Sequence, residues 1–327
     1  MSAAPEQLGA VLTAGGAELA GWLATTEARL AEVAAGHGAE LGRHAGETLS
    51  AGGKRLRPVL VFLCAQNRLD PSLVAGGAAV ELLHMATLVH DDVLDGAALR
   101  RGRPTVFASG GRLAATTTGD LLFSRAFAEL AATGSEEAVR ALSRASSSLA
   151  RGELMQRADA WSVDVTRARY LERCRLKTAS LFEASCRLGA LFGGEPGQAA
   201  ALGRFGSQIG LAFQLLDDVL DVSGPPERTG KPRGTDLLDG TVTLPLILAR
   251  ERDSRLRELS LRKAVTDTRE AAEVCERIEE TGALEGAREE ALRYVAEAKE
   301  VLRALELPEA RRSALDLVAD GVVDRYS

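Results

Sequence analysis

The stretch at residues 73–95, LVAGGAAVELLHMATLVHDDVLD, is apolar, contains no proline and ends in an acidic pentad. It follows Asp70-Pro71-Ser72, a typical helix start in which aspartate is the N-cap residue and proline lies in the first turn. We therefore predict a long buried helix over residues 73–94. A second long helix is predicted after the break at residues 193–196 (GGEP), and it reaches about Asp221, where the pentad DDVLD recurs.

The rest of the chain also has the composition of a helical protein. Ala, Leu, Glu and Arg are frequent and aromatic residues make up only 4% of the sequence, which favours helices over strands. Residues 222–240 carry three prolines and four glycines and predict a long functional loop. Because no composition shift marks a boundary, we predict an all-α fold in a single domain over residues 1–327, with residues 1–6 as a frayed tail.

Charge and hydropathy exclude several classes of protein. The net charge of −6 argues against a nucleic-acid-binding surface, which needs a basic face. No apolar run reaches the roughly 18 residues of a membrane span, and the N-terminus lacks a signal-peptide pattern. We therefore expect a cytoplasmic protein without a transmembrane segment. The four cysteines lack C-x-x-C spacing and are predicted to be buried free thiols.

The two acidic pentads predict a cation site. Asp91 and Asp95 are four residues apart, as are Asp217 and Asp221, so each pair projects from one helical face with about 6 Å between the side chains. Like charges repel, and aspartate is also disfavoured near a helix C-terminus. A single pentad could equally be a solvated acidic face at a helix end. Two identical pentads in apolar helices indicate a compensating cation. Carboxylate ligands without nearby cysteine favour Mg²⁺.

Two basic segments supply the charge that a phosphate ligand of Mg²⁺ would need. Residues 52–58 read GGKRLRP, a Gly-Gly turn that leads into three cations. Residues 100–104 read RRGRP and follow the first pentad closely. Glycines allow close backbone approach, and guanidinium groups form charge-assisted hydrogen bonds with phosphate oxygens. Carboxylates for Mg²⁺ beside basic loops predict a site for a diphosphate.

These motifs resemble those of the trans-polyprenyl diphosphate synthases. The matching segments occur in that family's order from residue 52 to residue 245: GGKRLRP, ELLHMATLVHDDVLD, LRRGRPT, GDLLFSRAF, GELMQ, KTASLF, FQLLDDVLD and GKPRGTDLLDGTVTLP. The resemblance implies the isoprenoid synthase type I fold, a single-domain bundle of long antiparallel helices around a central cavity. It also implies a homodimer that condenses isopentenyl diphosphate with an allylic diphosphate.

The resemblance further implies roles for individual residues. Two to three Mg²⁺ ions are expected on the aspartates of the two pentads: Asp91, Asp92, Asp95, Asp217, Asp218 and Asp221. Of these, the expected direct ligands are Asp91, Asp95 and Asp217. The positions that grip isopentenyl diphosphate are matched by Lys54, Arg57, His84 and Arg101. Those that contact the allylic diphosphate are matched by Arg100, Lys177 and Lys231. Groups that line the reacting carbons are matched by Lys177, Thr178 and Gln214.

Product length is predicted from the helix that precedes the first pentad. In the family the growing chain runs back along this helix, and short-chain members often carry an aromatic residue four or five positions before the first aspartate. Here these positions hold the small residues Thr87 and Ala86. We therefore expect a product of C30 or longer from geranyl, farnesyl or geranylgeranyl diphosphate. Leu82 or Leu83 could block the tunnel earlier, which would give a C20 product.

Two other functions are compatible with parts of the pattern. A non-catalytic partner subunit of another synthase could lose aspartates or phosphate-binding cations, whereas this chain retains both sets. A class I terpene cyclase also ionises an allylic diphosphate with Mg²⁺, but it would not need Lys54, Arg57 and His84. One position departs from the family pattern: Thr241 stands where many relatives carry lysine, so one cation near the second pentad is missing.

Overall fold

The computed structural model describes residues 9–11, 13–50, 52–53, 55–66, 70–225 and 232–324, apart from the side chains of residues 17 and 324. The predicted tail at residues 1–6 lies outside this part. From residue 17 onward the secondary structure is, in chain order, α1 (Ala17–Ala35), α2 (Ala39–Ser50), α3 (Leu56–Leu63), α4 (Ser72–Asp95), β1 (Leu99–Arg100), β2 (Arg103–Pro104), α5 (Val106–Ala131), α6 (Glu136–Ala158), α7 (Arg167–Cys174), a π-helix (Arg175–Ala179), α8 (Ser180–Phe192), a 3₁₀ turn (Pro196–Gln198), α9 (Ala199–Ser223), α10 (Thr235–Leu238), α11 (Leu244–Arg252), α12 (Ser254–Glu258), α13 (Leu261–Ala264), α14 (Thr268–Glu280), α15 (Ala283–Arg303) and α16 (Glu309–Asp324). The predicted all-α class is confirmed.

Helix α4 confirms the helix predicted from residue 73 to 94. Its start is fixed by Asp70, whose Oδ1 accepts a hydrogen bond from the backbone N–H of Ser72 at 2.8 Å. It ends at Gly96, which adopts the left-handed conformation (φ 63°) that glycine tolerates at a helix C-terminus. Most of the apolar side chains between these ends are buried, so α4 is a core helix.

Helix α4 also corrects one prediction about hydropathy. It is the one helix in the described part of the chain that is long and apolar enough to cross a membrane, judged by length and composition alone. The prediction that no such run exists was wrong because alanines and leucines raise the mean hydropathy of the helix despite its polar residues. Of the apolar window, 67% is buried within the protein, and the core helix of a soluble protein passes the same test.

A short hairpin separates α4 from α5. Strands β1 and β2 pair antiparallel, with Leu99 opposite Pro104 and Arg100 opposite Arg103. The two turn residues, Arg101 and Gly102, both have positive φ angles (53° and 74°), as a type I′ turn requires. The hairpin was not predicted, and it fixes the arginines of the RRGRP segment in a defined register.

The described residues group into two compact units. The first comprises residues up to 146 together with 181–206 and 301–318, and the second comprises residues 147–180, 207–300 and those from 319 onward. All five boundaries between the units fall inside helices and none falls in a linker. The single-domain organisation stays a prediction.

All four cysteines are buried and none forms a disulfide, which confirms the predicted free thiols: Cys64, Cys174, Cys186 and Cys275.

Candidate active site

The first acidic pentad lies in the first unit, at the C-terminal end of α4. Its three aspartates differ in environment: Asp91 is half-buried, Asp95 is exposed, and Asp92 is only 4% exposed. The Asp92 carboxylate accepts a hydrogen bond from Arg100 Nε at 2.7 Å. Burial raises the pKa of Asp92, although Arg100 opposes this shift. The middle aspartate is therefore bound to a protein cation, while the outer two lie nearer to solvent.

A basic cluster surrounds His84, about two helical turns before the first aspartate of this pentad. Burial and the nearby guanidinium groups lower the pKa of His84 well below 6.5, so the imidazole is neutral at pH 7. Four guanidinium groups within one unit repel each other. Carboxylates compensate two of them, Arg100 through Asp92 and Arg55 through Glu27 and Glu81, so an anionic ligand is expected at Arg57 in particular. The groups that act on His84, in order of decreasing effect, are those of Arg57, Arg101, Arg100 and Arg55.

Arg57 is the least compensated member of this cluster. Its guanidinium lies 4.8 Å from the centroid of the Phe182 ring, and its Nε is buried without a hydrogen-bond partner in the described part of the chain. Burial lowers the pKa of Arg57 to about 10, an effect that Arg101 reinforces and Glu81 opposes. A buried N–H group without a hydrogen bond is costly unless a ligand accepts from it.

Its neighbour Arg55 differs, because it is held by Glu27 and Glu81 and by the carbonyl of Leu49. Arg55 therefore stabilises the turn before α3 and is not available to a ligand. Arg101, on the hairpin turn, donates to the carbonyl of Gly52. The predicted ligand Lys54 lies outside the described residues.

A cavity of about 300 Å³ opens beside the first pentad. Asp92, Arg100 and Arg101 contribute to its polar wall, and Met85 and Val89 of α4 belong to its apolar wall. The cavity thus combines guanidinium groups with an apolar surface, a combination suited to an amphipathic anion.

The second pentad lies in the second unit, at the end of α9. Asp218 is 3% exposed, and both of its carboxylate oxygens are engaged. The Tyr170 hydroxyl donates to Oδ2 and the Gln214 amide donates to Oδ1, each at 2.7 Å. Burial raises the pKa of Asp218, although these two hydrogen bonds oppose the shift. Thr178 Oγ1 in turn donates to Gln214 Oε1 at 2.6 Å, so the structure joins the predicted residues Thr178, Gln214 and Asp218 in one chain of hydrogen bonds.

Lys177 and Thr178 lie on the π-helix between α7 and α8. π-Helical turns are rare and occur often at functional sites. The Lys177 ammonium contacts the Glu153 carboxylate of α6, and this lysine, together with Arg157, keeps the pKa of Glu153 below its usual value. Gly152 permits this approach, because a Cβ there would lie 2.6 Å from the Lys177 backbone nitrogen.

Hydrogen bonds connect the loop after α9 to the second pentad. The Asp221 carboxylate accepts a hydrogen bond from the Asp236 backbone N–H at 3.1 Å, and the Asp236 carbonyl accepts one from the Thr241 N–H at 2.7 Å. Asp217 of the same pentad is half-buried. The predicted ligand Lys231 lies outside the described residues.

The acidic side chains fit magnesium only in combination with a substrate. No group of three or more His, Cys, Asp and Glu side chains that could enclose a metal occurs in the described residues. Mg²⁺ commonly binds to one or two carboxylates and completes its coordination with water and substrate phosphates. Pairs such as Asp91 and Asp95 beside an arginine cluster fit this mode of binding.

Three residues near the second pentad were not predicted from the sequence. Glu153 belongs to the GELMQ motif, which gave the available signal. Tyr170 and Arg173 carry no such signal, because they contact Asp218 and the loop carbonyl of Val242 from a different helix. His90, next to the first pentad, pairs with Asp120 at 3.3 Å.

Comparison with known proteins identifies the family. Residues 39–281 match the family model described as polyprenyl synthetase. The chain belongs to this family. Over 298 residues it is 41% identical to heptaprenyl diphosphate synthase component 2 of Geobacillus stearothermophilus, with 90% of this chain and 93% of that protein covered. It is 40% identical to a short chain isoprenyl diphosphate synthase of Methanothermobacter thermautotrophicus, with 85% and 88% covered.

Solved structures agree with this assignment. The crystal structure of a decaprenyl diphosphate synthase from Rhodobacter capsulatus matches with a TM-score of 0.89 at 33% identity, covering 98% of this chain and 99% of that chain. The protein is therefore a prenyltransferase, and its substrates follow from its family. The relatives are named for short, heptaprenyl and decaprenyl products, so the family alone does not fix the length of the product.

Proposed function

We propose that the protein condenses isopentenyl diphosphate with geranyl, farnesyl or geranylgeranyl diphosphate in a Mg²⁺-dependent reaction that yields an all-trans polyprenyl diphosphate. The observation that carries the proposal is the cluster of guanidinium groups around neutral His84, beside the first pentad. An anion would supply the hydrogen bond that the buried Nε of Arg57 lacks in the described residues, and a cation would reduce the repulsion between Asp91 and Asp95. A magnesium diphosphate satisfies both requirements.

In the proposed reaction the side chains bind, orient and exclude water. Arg57 and Arg101 hold isopentenyl diphosphate, whereas Arg100 and Lys177 hold the allylic diphosphate. Asp91, Asp95 and Asp217 would hold Mg²⁺, which would supply positive charge to the diphosphate leaving group. The hydroxyl of Thr178 and the amide of Gln214 are oriented by their mutual hydrogen bond and present oxygen atoms to the developing allylic cation. No protein nucleophile is required, and the released pyrophosphate accepts the proton.

The small residues before the first pentad support a long product. Ala86 is fully buried and Thr87 is half-buried, with its hydroxyl bonded to the His84 carbonyl at 2.7 Å. Farther back, aromatic rings cover the same helix. A Cβ at Gly76 would lie 3.1 Å from the Phe192 ring, and one at Gly77 would lie 3.2 Å from the Phe62 ring.

We propose that these rings close the far end of the path along which the product chain grows, and we call them its floor. Gly76 precedes Asp91 by 15 residues, which corresponds to about 22 Å of helix, and one C5 unit spans about 5 Å. This distance corresponds to four to five units in addition to the one beside the aspartates, which would give a product of about C25 to C30. Trp22 stacks on Phe62 with 6.0 Å between ring centroids and reinforces this floor. If Leu82 or Leu83, both fully buried, already closes the path, the product is C20.

The test is chain-length analysis of the products formed from isopentenyl diphosphate, farnesyl diphosphate and Mg²⁺. Wild-type protein is expected to release products of about C25 to C30. Phe192→Ala should lengthen them and Ala86→Phe should shorten them, whereas Leu292→Ala, on the exposed surface of α15, should leave them unchanged. A C20 product that Phe192→Ala does not alter would contradict the floor. If no allylic starter is elongated and no product forms without isopentenyl diphosphate either, the partner-subunit function is favoured. A cyclic product would favour the terpene cyclase.

We also propose a cytoplasmic homodimer. The homodimer is supported by an apolar face on α5, where Leu113 is 78% exposed and Phe123 is 37% exposed. The cytoplasmic location follows the expectation from the sequence. The similarity to a protein named component 2 of a heptaprenyl diphosphate synthase favours a second candidate, a subunit that requires a different partner chain. Elongation by the purified chain alone would exclude this requirement.

A further inference from the structure

Arg173 is an arginine of the second unit that none of the functions above uses. It lies on α7 and is only 3% exposed. Its Nη2 donates to the carbonyl of Val242 at 2.6 Å, and its guanidinium lies 5.4 Å from the centroid of the Tyr170 ring. A charged group buried to this extent is expected to have direct hydrogen bonds to a carboxylate.

The ion pair that would provide them is incomplete. Arg173 Nη1 and Asp159 Oδ2 are 3.9 Å apart, too far for a hydrogen bond, and both atoms are buried without a hydrogen-bond partner in the described residues. The other oxygen of Asp159 accepts a hydrogen bond from Arg169 Nε at 2.7 Å. Asp159 is therefore shared between two arginines, and the positive charge of Arg173 is only partly compensated.

Both other contacts of Arg173 lead to the second pentad. The Tyr170 ring that it covers donates its hydroxyl to Asp218. Val242, whose carbonyl it holds, directly follows Thr241, where this chain lacks a lysine. Arg173 thus places a buried positive charge next to contacts of the second pentad, where Thr241 stands in place of the lysine of many relatives.

We propose that Arg173 is a positioning residue for the second aspartate motif, which orients Asp218 through Tyr170, fixes the loop at Val242 and supplies the positive charge that Thr241 does not. The charge favours binding of the magnesium pyrophosphate that the motif receives. This inference rests on the proposed function, because it assumes that the second pentad binds Mg²⁺ together with a diphosphate.

The first experiment is calorimetric titration of inorganic pyrophosphate in the presence of Mg²⁺. Arg173→Gln should weaken binding by about ten-fold or more, because it removes a charge from a buried site, and Arg173→Lys should retain most of the affinity. Arg169→Gln is the matched control: it lies on the same helix and also contacts Asp159, but it is exposed and should bind pyrophosphate like the wild type. Unchanged affinity in Arg173→Gln would overturn the proposal.

The second experiment separates the charge from a structural role. Thr241→Lys in the Arg173→Gln background should restore at least part of the lost affinity and lower the KM for the allylic substrate again. A lysine at 241 cannot rebuild the contact with the Val242 carbonyl, so a purely structural role of Arg173 predicts no rescue, and that result would overturn the charge role. Asp217→Asn tests the assumption separately: if this variant binds pyrophosphate with unchanged Mg²⁺ dependence, the proposed function fails irrespective of Arg173.

Discussion

The aspartates of the two pentads have identical sequence but different partners. In each pentad the middle residue is buried and bound by protein donors: Asp92 by Arg100, and Asp218 by Tyr170 and Gln214. A carboxylate whose oxygens already accept short hydrogen bonds is a poor candidate for an additional metal. In the first pentad Asp91 and Asp95 are therefore the better candidates for the proposed metal. In the second, Asp221 is also buried and accepts a hydrogen bond from the Asp236 N–H, so Asp217 is the more accessible candidate.

Replacement of Asp91 tests this distinction. Asp91→Ala should lower turnover by about two to three orders of magnitude while leaving the thermal midpoint near the wild-type value, because the side chain is only half-buried. Steady-state kinetics over a range of Mg²⁺ concentrations provide the measurement. Glu137→Ala is the control, since Glu137 is exposed and belongs to the same unit. Near-normal turnover in Asp91→Ala would refute the metal assignment.

His84 gives a prediction about pH. Its pKa in the folded protein lies well below 6.5, whereas in the unfolded chain it is about 6.5. Below pH 6.5 the unfolded state therefore binds more protons than the folded state, and the free energy of unfolding falls as the pH is lowered. Urea unfolding of the substrate-free protein between pH 7.5 and 5 should show this fall, and His84→Gln should reduce its slope. Parallel profiles of the two proteins would contradict the assignment.

The sequence predicted the residue types of the site but not all of their partners. The pentads and the basic segments are continuous stretches, so their chemistry is visible in the sequence. Tyr170 is 48 residues away from Asp218, and no local pattern connects them. Such partners depend on which helices pack together, and packing is determined by the whole chain.

At the scale of elements, the π-helix at Arg175–Ala179 places Lys177 and Thr178. One extra residue per turn rotates the side chains that follow it relative to a regular α-helix. Gly152 of α6 lies against this turn, because any Cβ at residue 152 would overlap the Lys177 backbone. The glycine of the GELMQ motif thus has a packing role beside the reacting groups.

A methyl group at residue 152 should disturb the π-helix. Gly152→Ala is expected to destabilise the protein by about 1–3 kcal/mol through overpacking and to lower turnover by at least about ten-fold. Denaturant unfolding and steady-state kinetics measure the two effects. Gly21→Ala is the matched control: Gly21 lies on the exposed face of α1 with nothing within 4 Å of a Cβ, so alanine should be neutral or slightly stabilising. Wild-type turnover in Gly152→Ala would argue against this role.

Helices with strong start and stop signals were predictable, and local irregularities were not. Asp70 and Gly96 bound α4 as their residue types indicate. The hairpin at residues 99–104 and the break in α5 at Gly111, which has φ 77° and ψ −180°, depend on single glycines or arginines with positive φ. Glycine permits such angles but does not require them, so composition alone does not identify these features.

At the scale of the whole molecule, α5 carries large apolar side chains that are exposed on one face of the helix. Leu113, Asp120 and Phe127 are seven apart and Phe123 lies between the last two, so these side chains share one side of the helix, which is apolar apart from the exposed Asp120. Leu113 is 78% exposed and Phe123 is 37% exposed, and the Phe123 and Phe127 rings lie 5.3 Å apart. Large apolar groups clustered on one exposed face indicate an interaction surface. A second copy of the chain is the partner that a homodimer would supply.

Charges on this face should therefore dissociate the protein. Leu113→Asp combined with Phe123→Asp is expected to convert a dimer into a monomer, because two buried carboxylates per chain would lie in an apolar interface without partners. Sedimentation equilibrium or light scattering measures the mass. Leu292→Asp, on α15 and 45% exposed, introduces the same charge elsewhere and should leave the mass unchanged. A wild-type protein of monomer mass would exclude this face as a dimer interface. A double variant that remains dimeric would also exclude it, and the dimer would then form through another surface.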